Sequence, residues 1–228
     1  MEDKVNSFLC KLKSLNFLSA DVNKKLLVSG SGPGILYGLP KVHKTDFFSK
    51  FQFRPIFAAY NTPSFGLAKY LVPVLAPLTT NRYTVNNSYE FADRTSKVSN
   101  ADQLVMASFD IESLFTNVPL RETINISLDN LFPNPTNIVA GLPLTHFWSF
   151  LELALLNSYF IFNNVCYQQV ERLGMGLPLG PTLANIFMCF MEKDWLNECP
   201  TAFRPVFYQH YIDDTFLLFK HSSHVQLF

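Results

Sequence analysis

The sequence predicts an α+β domain that combines antiparallel hairpins with amphipathic helices. Three observations lead there. Near the C-terminus, Val206 to His210 and Thr215 to Phe219 are apolar, strand-type runs flanking Tyr211-Ile212-Asp213-Asp214, the pattern of a β-hairpin with two adjacent carboxylates at its tip. Tyr159 to Gln168 reads as another hairpin, turning at Asn163-Asn164 because asparagine accepts positive φ. Apolar residues also recur at helical spacing from Pro119 to Leu131 and again from about Thr145.

Composition sets the class. The 228 residues suffice for one sizeable domain or two small ones, and 48% hydrophobic against 16% charged residues excludes a disordered chain. Phenylalanine is so common, at 23 residues, that any one of them is by default a core residue. A net charge of zero argues neither for nor against a nucleic-acid partner. Cys10, Cys166, Cys189 and Cys199 show no CxxC spacing and no zinc pattern, and are expected to be reduced, mostly buried thiols of an intracellular protein. The N-terminus lacks the apolar core of a signal peptide. The most apolar long window, Leu142 to Phe162, is interrupted by His146 and Glu152, which favours a buried helix followed by a strand over a membrane span.

Taken in order, Val5, Phe8, Leu9, Leu12 and Leu15 make one apolar helical face, and a second short helix starts at the N-cap Ser19 and runs to about Val28. Gly30 to Gly34 fits neither the phosphate-loop nor the dinucleotide pattern and reads as a connection. Leu36 to Lys44 and Phe53 to Ile56 follow, with Pro40 and Pro55 fixing extended geometry around Lys41 and Arg54. A lysine point charge and an arginine fork are two ways to grip a triphosphate, although an ordinary hairpin with solvated basic residues fits the same stretch. Phe65 to Leu78 is helical, with breaks expected at Pro73 and Pro77. Lys69 and Arg82 could touch a nucleic-acid backbone, but a solvated face accounts for them as well. Asn86 to Asp102 is polar and is expected to cross the surface before Leu104 to Asp110, an apolar run that reads as a buried strand. Gly174 to Pro181 is a glycine- and proline-rich loop opening a helix from Thr182 to about Leu196. Such a loop lets backbone approach a base pair closely, or simply leads into the helix.

The chemistry lies in the carboxylates. Asp110 ends one strand, and Asp213 and Asp214 tip the hairpin, the first two standing 103 positions apart. Adjacent like charges repel, and here bulky apolar residues flank them, so a divalent cation would relieve the repulsion. Two metals about 3.5–4 Å apart can activate a hydroxyl and stabilise a leaving phosphate oxygen, which makes metal-assisted phosphoryl transfer the expected reaction. A metal phosphohydrolase is the weaker alternative, because no further His/Asp cluster accompanies the pair. His146, His210, His221 and His224 match no metal-site spacing, and His221 and His224 read as a solvated tail.

In order along the chain, Tyr37 to Lys44 (Tyr-Gly-Leu-Pro-Lys-Val-His-Lys), Arg54-Pro55-Ile56, Ser108 to Pro119, Gly180 to Met188 and Tyr211 to Asp214 resemble the motifs of reverse transcriptases from Penelope-like retroelements. The resemblance spans roughly Leu36 to Phe219. It implies a right-hand polymerase fold with an antiparallel palm sheet, divided into an N-terminal helical segment (1–35), a fingers part (36–100) and a palm part (101–228). By resemblance, Asp110, Asp213 and Asp214 bind two Mg²⁺ or Mn²⁺ ions and are the catalytic residues. Lys41 and Arg54 hold the incoming triphosphate, and Phe115 closes against the sugar where a 2′-hydroxyl would clash. Met175 and Gly176 support the templating base and nucleotide, with Asn185 on the following helix, and Tyr211 lies near the primer end. The implied partners are an RNA template, a DNA primer and deoxynucleotides, with no membrane, and the implied location is the nucleus.

Two departures stand out. Family members commonly carry Gly-Ser-Pro where this chain has Gly176-Leu177-Pro178, and Gly where it has Arg172. Only 14 residues follow Asp214, so a thumb, the rest of the palm and an endonuclease region are expected to be absent. A catalytically silent remnant acting at most as an RNA-binding module is therefore the alternative to an active RNA-directed DNA polymerase.

Overall fold

The computed structural model describes residues 1–42, 51–156 and 158–228. His43 and Lys44, which close the Tyr37 to Lys44 stretch, lie outside them.

Helix α1 (Glu2–Ser14) buries Val5, Leu9 and Leu12 as the spacing predicts, whereas Leu15, expected on the same face, is exposed beyond the last turn. Helix α2 (Ala20–Leu26) begins where Ser19 caps it, the hydroxyl accepting from Val22 N at 3.2 Å. Strands β1 (Gly34–Pro40) and β2 (Phe53–Ala58) form the first hairpin. Helix α3 (Phe65–Leu75) continues through Pro73, where a break was expected. Proline inside a helix costs about 3 kcal/mol. Leu67, Leu71 and Leu75 are fully buried along the same helix, at about 1.5–3 kcal/mol each, which outweighs that cost. A 3₁₀ turn at Ala76–Leu78 ends the run.

Helix α4 (Ser88–Ser96) lies in the polar stretch expected to cross the surface, and none of its residues is buried, although a helix was not foreseen there. Asn87 Oδ1 accepts from Glu90 N at 2.9 Å, and Glu90 Oε2 accepts from Asn86 N at 3.0 Å. This reciprocal cap supports a helix with no buried residue, and the bonds from Asn86 hold the Glu90 carboxyl below its usual range. Next come β3 (Val105–Asp110), the single turn α5 (Leu114–Asn117) and α6 (Leu120–Leu131), in which Leu120, Ile124 and Leu128 are buried. A short ladder of β4 (Ile138–Val139) and β5 (Leu142–Pro143) precedes α7 (Leu144–Leu155), which buries Phe147, Leu151 and Leu155 as predicted. Strands β6 (Tyr159–Phe162) and β7 (Val165–Gln168) turn at Asn163 and Asn164, with φ of 48° and 61°. Helix α8 (Gly180–Glu198), β8 (Phe207–Tyr211), β9 (Asp214–Phe219) and α9 (Ser222–Leu227) complete the chain. The last of these is a helix with no buried residue, in keeping with the solvated tail expected at His221 and His224.

The chain divides into two compact units. The first comprises Met1–Pro77 and Phe115–Ala184. The two hairpins predicted in it are joined into one four-stranded sheet, β2-β1-β6-β7, by a parallel pairing of Gly34 with Phe160 and Ile35 with Ile161. Its core gathers the fully buried Leu9, Leu67, Leu71, Phe147 and Leu151 around Phe150, whose ring lies 6.1 Å from that of Phe8 and 5.6 Å from that of Tyr70.

The second unit comprises Leu78–Leu114 and Asn185–Phe228, and holds an antiparallel three-stranded sheet in the order β3-β9-β8. One face packs Leu217, Phe219, Tyr208 and Leu196 with Ala107, Tyr83 and Val225. Strand β3 is an edge, paired only with β9, and Met106 and Phe109 are exposed. The apolar run before Asp110 is thus a largely exposed edge strand and not the buried one expected, with Met106 and Phe109 exposed on opposite faces. No helix among the described residues is long and apolar enough to cross a membrane.

Candidate active site

Within the second unit, β3 and β9 pair so that Asp110 stands directly opposite Asp214, and β8 places Tyr211 opposite Asp214 on its other side. Directly opposed residues have Cβ atoms about 5 Å apart on one face of the sheet. Asp213 completes the two-residue turn with Ile212, and its carbonyl accepts from Ile111 N at 3.1 Å, fastening the turn to the end of β3. Thr215 locks the pairing from the opposite face. Its hydroxyl donates to Phe109 O at 2.7 Å and accepts from Phe109 N at 3.1 Å.

Asp110 and Asp214 are exposed and Asp213 is half-buried, so the carboxylates face water and are not walled in by the apolar residues beside them. Among the described residues no hydrogen-bond donor engages their side chains, and their oxygens are not gathered as closely as those of a preformed cage. Three hard oxygen donors on a fixed backbone register, accessible and unneutralised, fit Mg²⁺ or Mn²⁺, whose binding would draw the carboxylates together. A cavity of about 640 Å³ opens beside them, lined among others by Asn86, Ser108, Gln209, Tyr211, Asp214 and Phe216. Arg94 of α4 steadies its wall, donating to Gln209 Oε1 at 2.5 Å.

The turn carries strain that the sequence did not reveal. Ile212 has φ +57°, which a β-branched side chain rarely adopts. Left-handed backbone costs roughly 1–2 kcal/mol in such a residue. Ile212→Asn, which tolerates this conformation, is expected to raise stability by about 1 kcal/mol in denaturant titration. An unchanged or lower midpoint would show that the Ile212 side chain contributes more than the strain costs.

The other expected site residues fall in two groups. In the first unit, Arg54 on β2 pairs with Leu39, and the ladder continues to Lys41, whose N donates to Gln52 O at 2.9 Å. Period-two alternation therefore sets Lys41 and Arg54 on one face. In the same unit Phe115 O accepts from Leu173 N at 3.3 Å, and Met175 O accepts from Phe57 N at 2.6 Å. Gly176 has φ +105°, and a Cβ there would lie 2.3 Å from Phe57 O. Leu177, the departure from the family's serine, is buried at 3% exposure against Phe57 and Ala59, so it adds to the core of this unit. Arg172 donates to Asn117 O at 2.5 Å, linking the loop to α5. Asn185 belongs to the second unit, half-buried on α8.

Sequence reasoning missed a buried polar cluster in the second unit. Glu192 on α8 is fully buried, accepting from Tyr208 Oη at 2.6 Å and from Asn81 Nδ2 at 3.0 Å. His210 Nδ1 lies 2.7 Å from Glu192 Oε1 but out of line for a hydrogen bond, and among the described residues neither ring nitrogen has a hydrogen-bond partner. Cys189, one helical turn before Glu192, joins them. The available signal was the Cys-x-x-Glu spacing on a predicted helix, which sets both side chains on one face.

Burial, and next the Glu192 charge, push the Tyr208 phenol far above its usual range, and burial raises the Cys189 thiol to about 11. At pH 8 on the order of one Cys189 in a thousand is thiolate. Cys10 and Cys166 are exposed, against the expectation of mostly buried thiols. Iodoacetamide is therefore expected to label these two well before Cys189, as read by peptide mass spectrometry. Earlier labelling of Cys189 would contradict this account of its surroundings.

The fold is similar to that of solved telomerases. Telomerase from Candida tropicalis without its C-terminal domain superposes with a TM-score of 0.60 at 13% identity, covering 87% of this chain and 46% of its own. Telomerase from Candida albicans, solved with the TWJ fragment of telomeric RNA, gives a TM-score of 0.61 at 13% identity, covering 92% and 40%. This chain thus spans less than half the length of either. No curated protein matches it in sequence. The family model "Reverse transcriptase (RNA-dependent DNA polymerase)" matches residues 42–228, and the chain belongs to that family.

Proposed function

We propose that this chain is the catalytic portion of an RNA-directed DNA polymerase of the Penelope-like retroelement type, extending a DNA primer with deoxynucleotides on an RNA template. The register that sets Asp110 opposite Asp214, with Asp213 in the adjoining turn, carries the reading. In it, Asp110, Asp213 and Asp214 hold two Mg²⁺ or Mn²⁺ ions. Bound there, such ions acidify the attacking 3′-hydroxyl and neutralise charge on the leaving pyrophosphate. Lys41 and Arg54, on one face of their hairpin, bind the triphosphate, the arginine as a fork and the lysine as a point charge. Phe115 excludes a ribose 2′-hydroxyl. Met175 and Gly176 support the templating base and nucleotide, with Asn185 on the following helix, while Tyr211 flanks the primer end. Base pairing supplies the sequence information, so these residues need recognise only duplex shape and backbone.

The test is deoxynucleotide incorporation on a primed RNA, comparing this chain with its Asp213→Asn/Asp214→Asn variant. Incorporation that follows the template and disappears in the variant is the expected result. Equal incorporation by both, or none by either, would overturn the proposal.

A further inference from the structure

We propose that Cys189, Glu192 and His210 form a binding site for a thiolate-accepting divalent ion of the zinc type, inside the second unit and distinct from the three aspartates. The proposal does not depend on the polymerase reading.

Geometry comes first. Cys189 and Glu192 share a face of α8, and His210 enters from β8. One ligand atom from each lies within 4.8 Å of the other two. Around a tetrahedral zinc ion, with bonds of about 2.0–2.3 Å, neighbouring donors stand roughly 3.5 Å apart. No two of these atoms are farther apart than 4.8 Å, and His210 Nδ1 and Glu192 Oε1, now 2.7 Å apart, need open by only about an ångström, within reach of rotamer adjustment.

Burial is the independent observation. Glu192 and His210 are 0% and 1% exposed. A carboxylate so far from water requires strong compensation, and the neutral donors Tyr208 and Asn81 supply two hydrogen bonds but no positive charge. The His210 imidazole is more anomalous, since both ring nitrogens are buried without a hydrogen-bond partner among the described residues. A cation at one of them would satisfy the orphaned nitrogen and the carboxylate together.

Donor chemistry selects the ion. One sulfur, one imidazole nitrogen and one carboxylate oxygen suit zinc or cobalt, whereas the all-oxygen aspartate set suits magnesium or manganese. The groups facing the cluster fit as well. The Tyr208 hydroxyl and Asn81 amide orient the Glu192 carboxylate, and Thr84 Oγ1 lies 3.7 Å from Cys189 Sγ. On binding, the Cys189 thiol proton passes to solvent, His210 ligates as neutral imidazole, and its close contact with Glu192 Oε1 opens to admit the ion. The bound ion would pin α8 to β8, the strand that leads into the hairpin turn.

The experiment is a Co²⁺ titration of the full chain after chelator treatment, following the thiolate-to-cobalt charge-transfer band and the visible bands of tetrahedral cobalt. One equivalent is expected to produce both, Zn²⁺ to abolish them, and Mg²⁺ to leave them unchanged. Cys10→Ser/Cys166→Ser/Cys199→Ser should retain the charge-transfer band at the same stoichiometry, while Cys189→Ser removes it and His210→Gln weakens cobalt binding at least about tenfold. Absence of the band from the triple-serine chain, which keeps Cys189, would overturn the proposal and leave a purely hydrogen-bonded cluster. So would persistence of the band in Cys189→Ser. Asp213→Asn should bind cobalt at Cys189 as the parent does, which separates this site from the polymerase carboxylates.

Discussion

Asp110→Asn is expected to reduce template-directed incorporation by about a thousandfold or more while making the protein slightly more stable. Under the proposed role of Asp110 as a metal ligand, the loss follows from removing an anion whose share in stabilising transition-state charge is several kcal/mol, each 1.36 kcal/mol being tenfold in rate. The gain follows from register. Asp110 and Asp214 are directly opposed, and like charges so placed destabilise a sheet by about 0.2–1 kcal/mol. Asparagine keeps the shape of the side chain and removes the repulsion. Without divalent ions and at low salt, the variant's thermal midpoint should therefore exceed the parent's. Added Mg²⁺ or Mn²⁺ should stabilise the parent and leave the variant nearly unmoved, because binding to the folded state alone stabilises by mass action. A parent midpoint indifferent to either ion would show that these carboxylates do not bind it, whatever the activity assay reads.

Gly176→Ala is expected to cost about 3 kcal/mol. At φ +105° an L-residue is strained by roughly 1–3 kcal/mol, and the added Cβ would lie 2.3 Å from Phe57 O. Phe57 cannot easily retreat, because its N–H donates to Met175 O at 2.6 Å and its ring is buried. For a protein of this size the midpoint should fall by about 6–12 °C. Gly32→Ala serves as the control, since a Cβ there meets nothing within 4 Å. Comparable losses in both variants would mean that the close approach of the loop to β2 is not what Gly176 provides.

The hairpins and most helices were legible because their signals are local. Asn163-Asn164 turns where it must, and Phe147, Leu151 and Leu155 show their helical period in the bare sequence. Helix α4 was obscured by the absence of buried residues, although its Asn87 and Glu90 cap was present to be read. The parallel pairing of β1 with β6 leaves no mark on either strand, since it depends on where a distant segment lands. The candidate site divides in the same way. Asp110, Asp213 and Asp214 were identifiable from strand-end carboxylates, but the buried cluster needed the fold to bring His210 to α8. Leu177 illustrates the limit of reading by position alone, for its side chain packs into the core of its unit.

The pairing of β3 with β9 also bears on how the chain is made. Asp110 and Asp214 meet across 104 residues, so the sheet that carries the carboxylates cannot close until synthesis has passed β9. At about 5–20 residues per second of synthesis, β3 waits roughly 5–20 s for its partner. During that interval Val105 to Phe109 is an apolar strand with both edges open, a template for pairing with the wrong chain. Closing so large a loop is also entropically slow, which makes the catalytic register one of the last features to form during folding. Yield of the folded protein should accordingly respond to translation speed and to chaperones that shield strand edges.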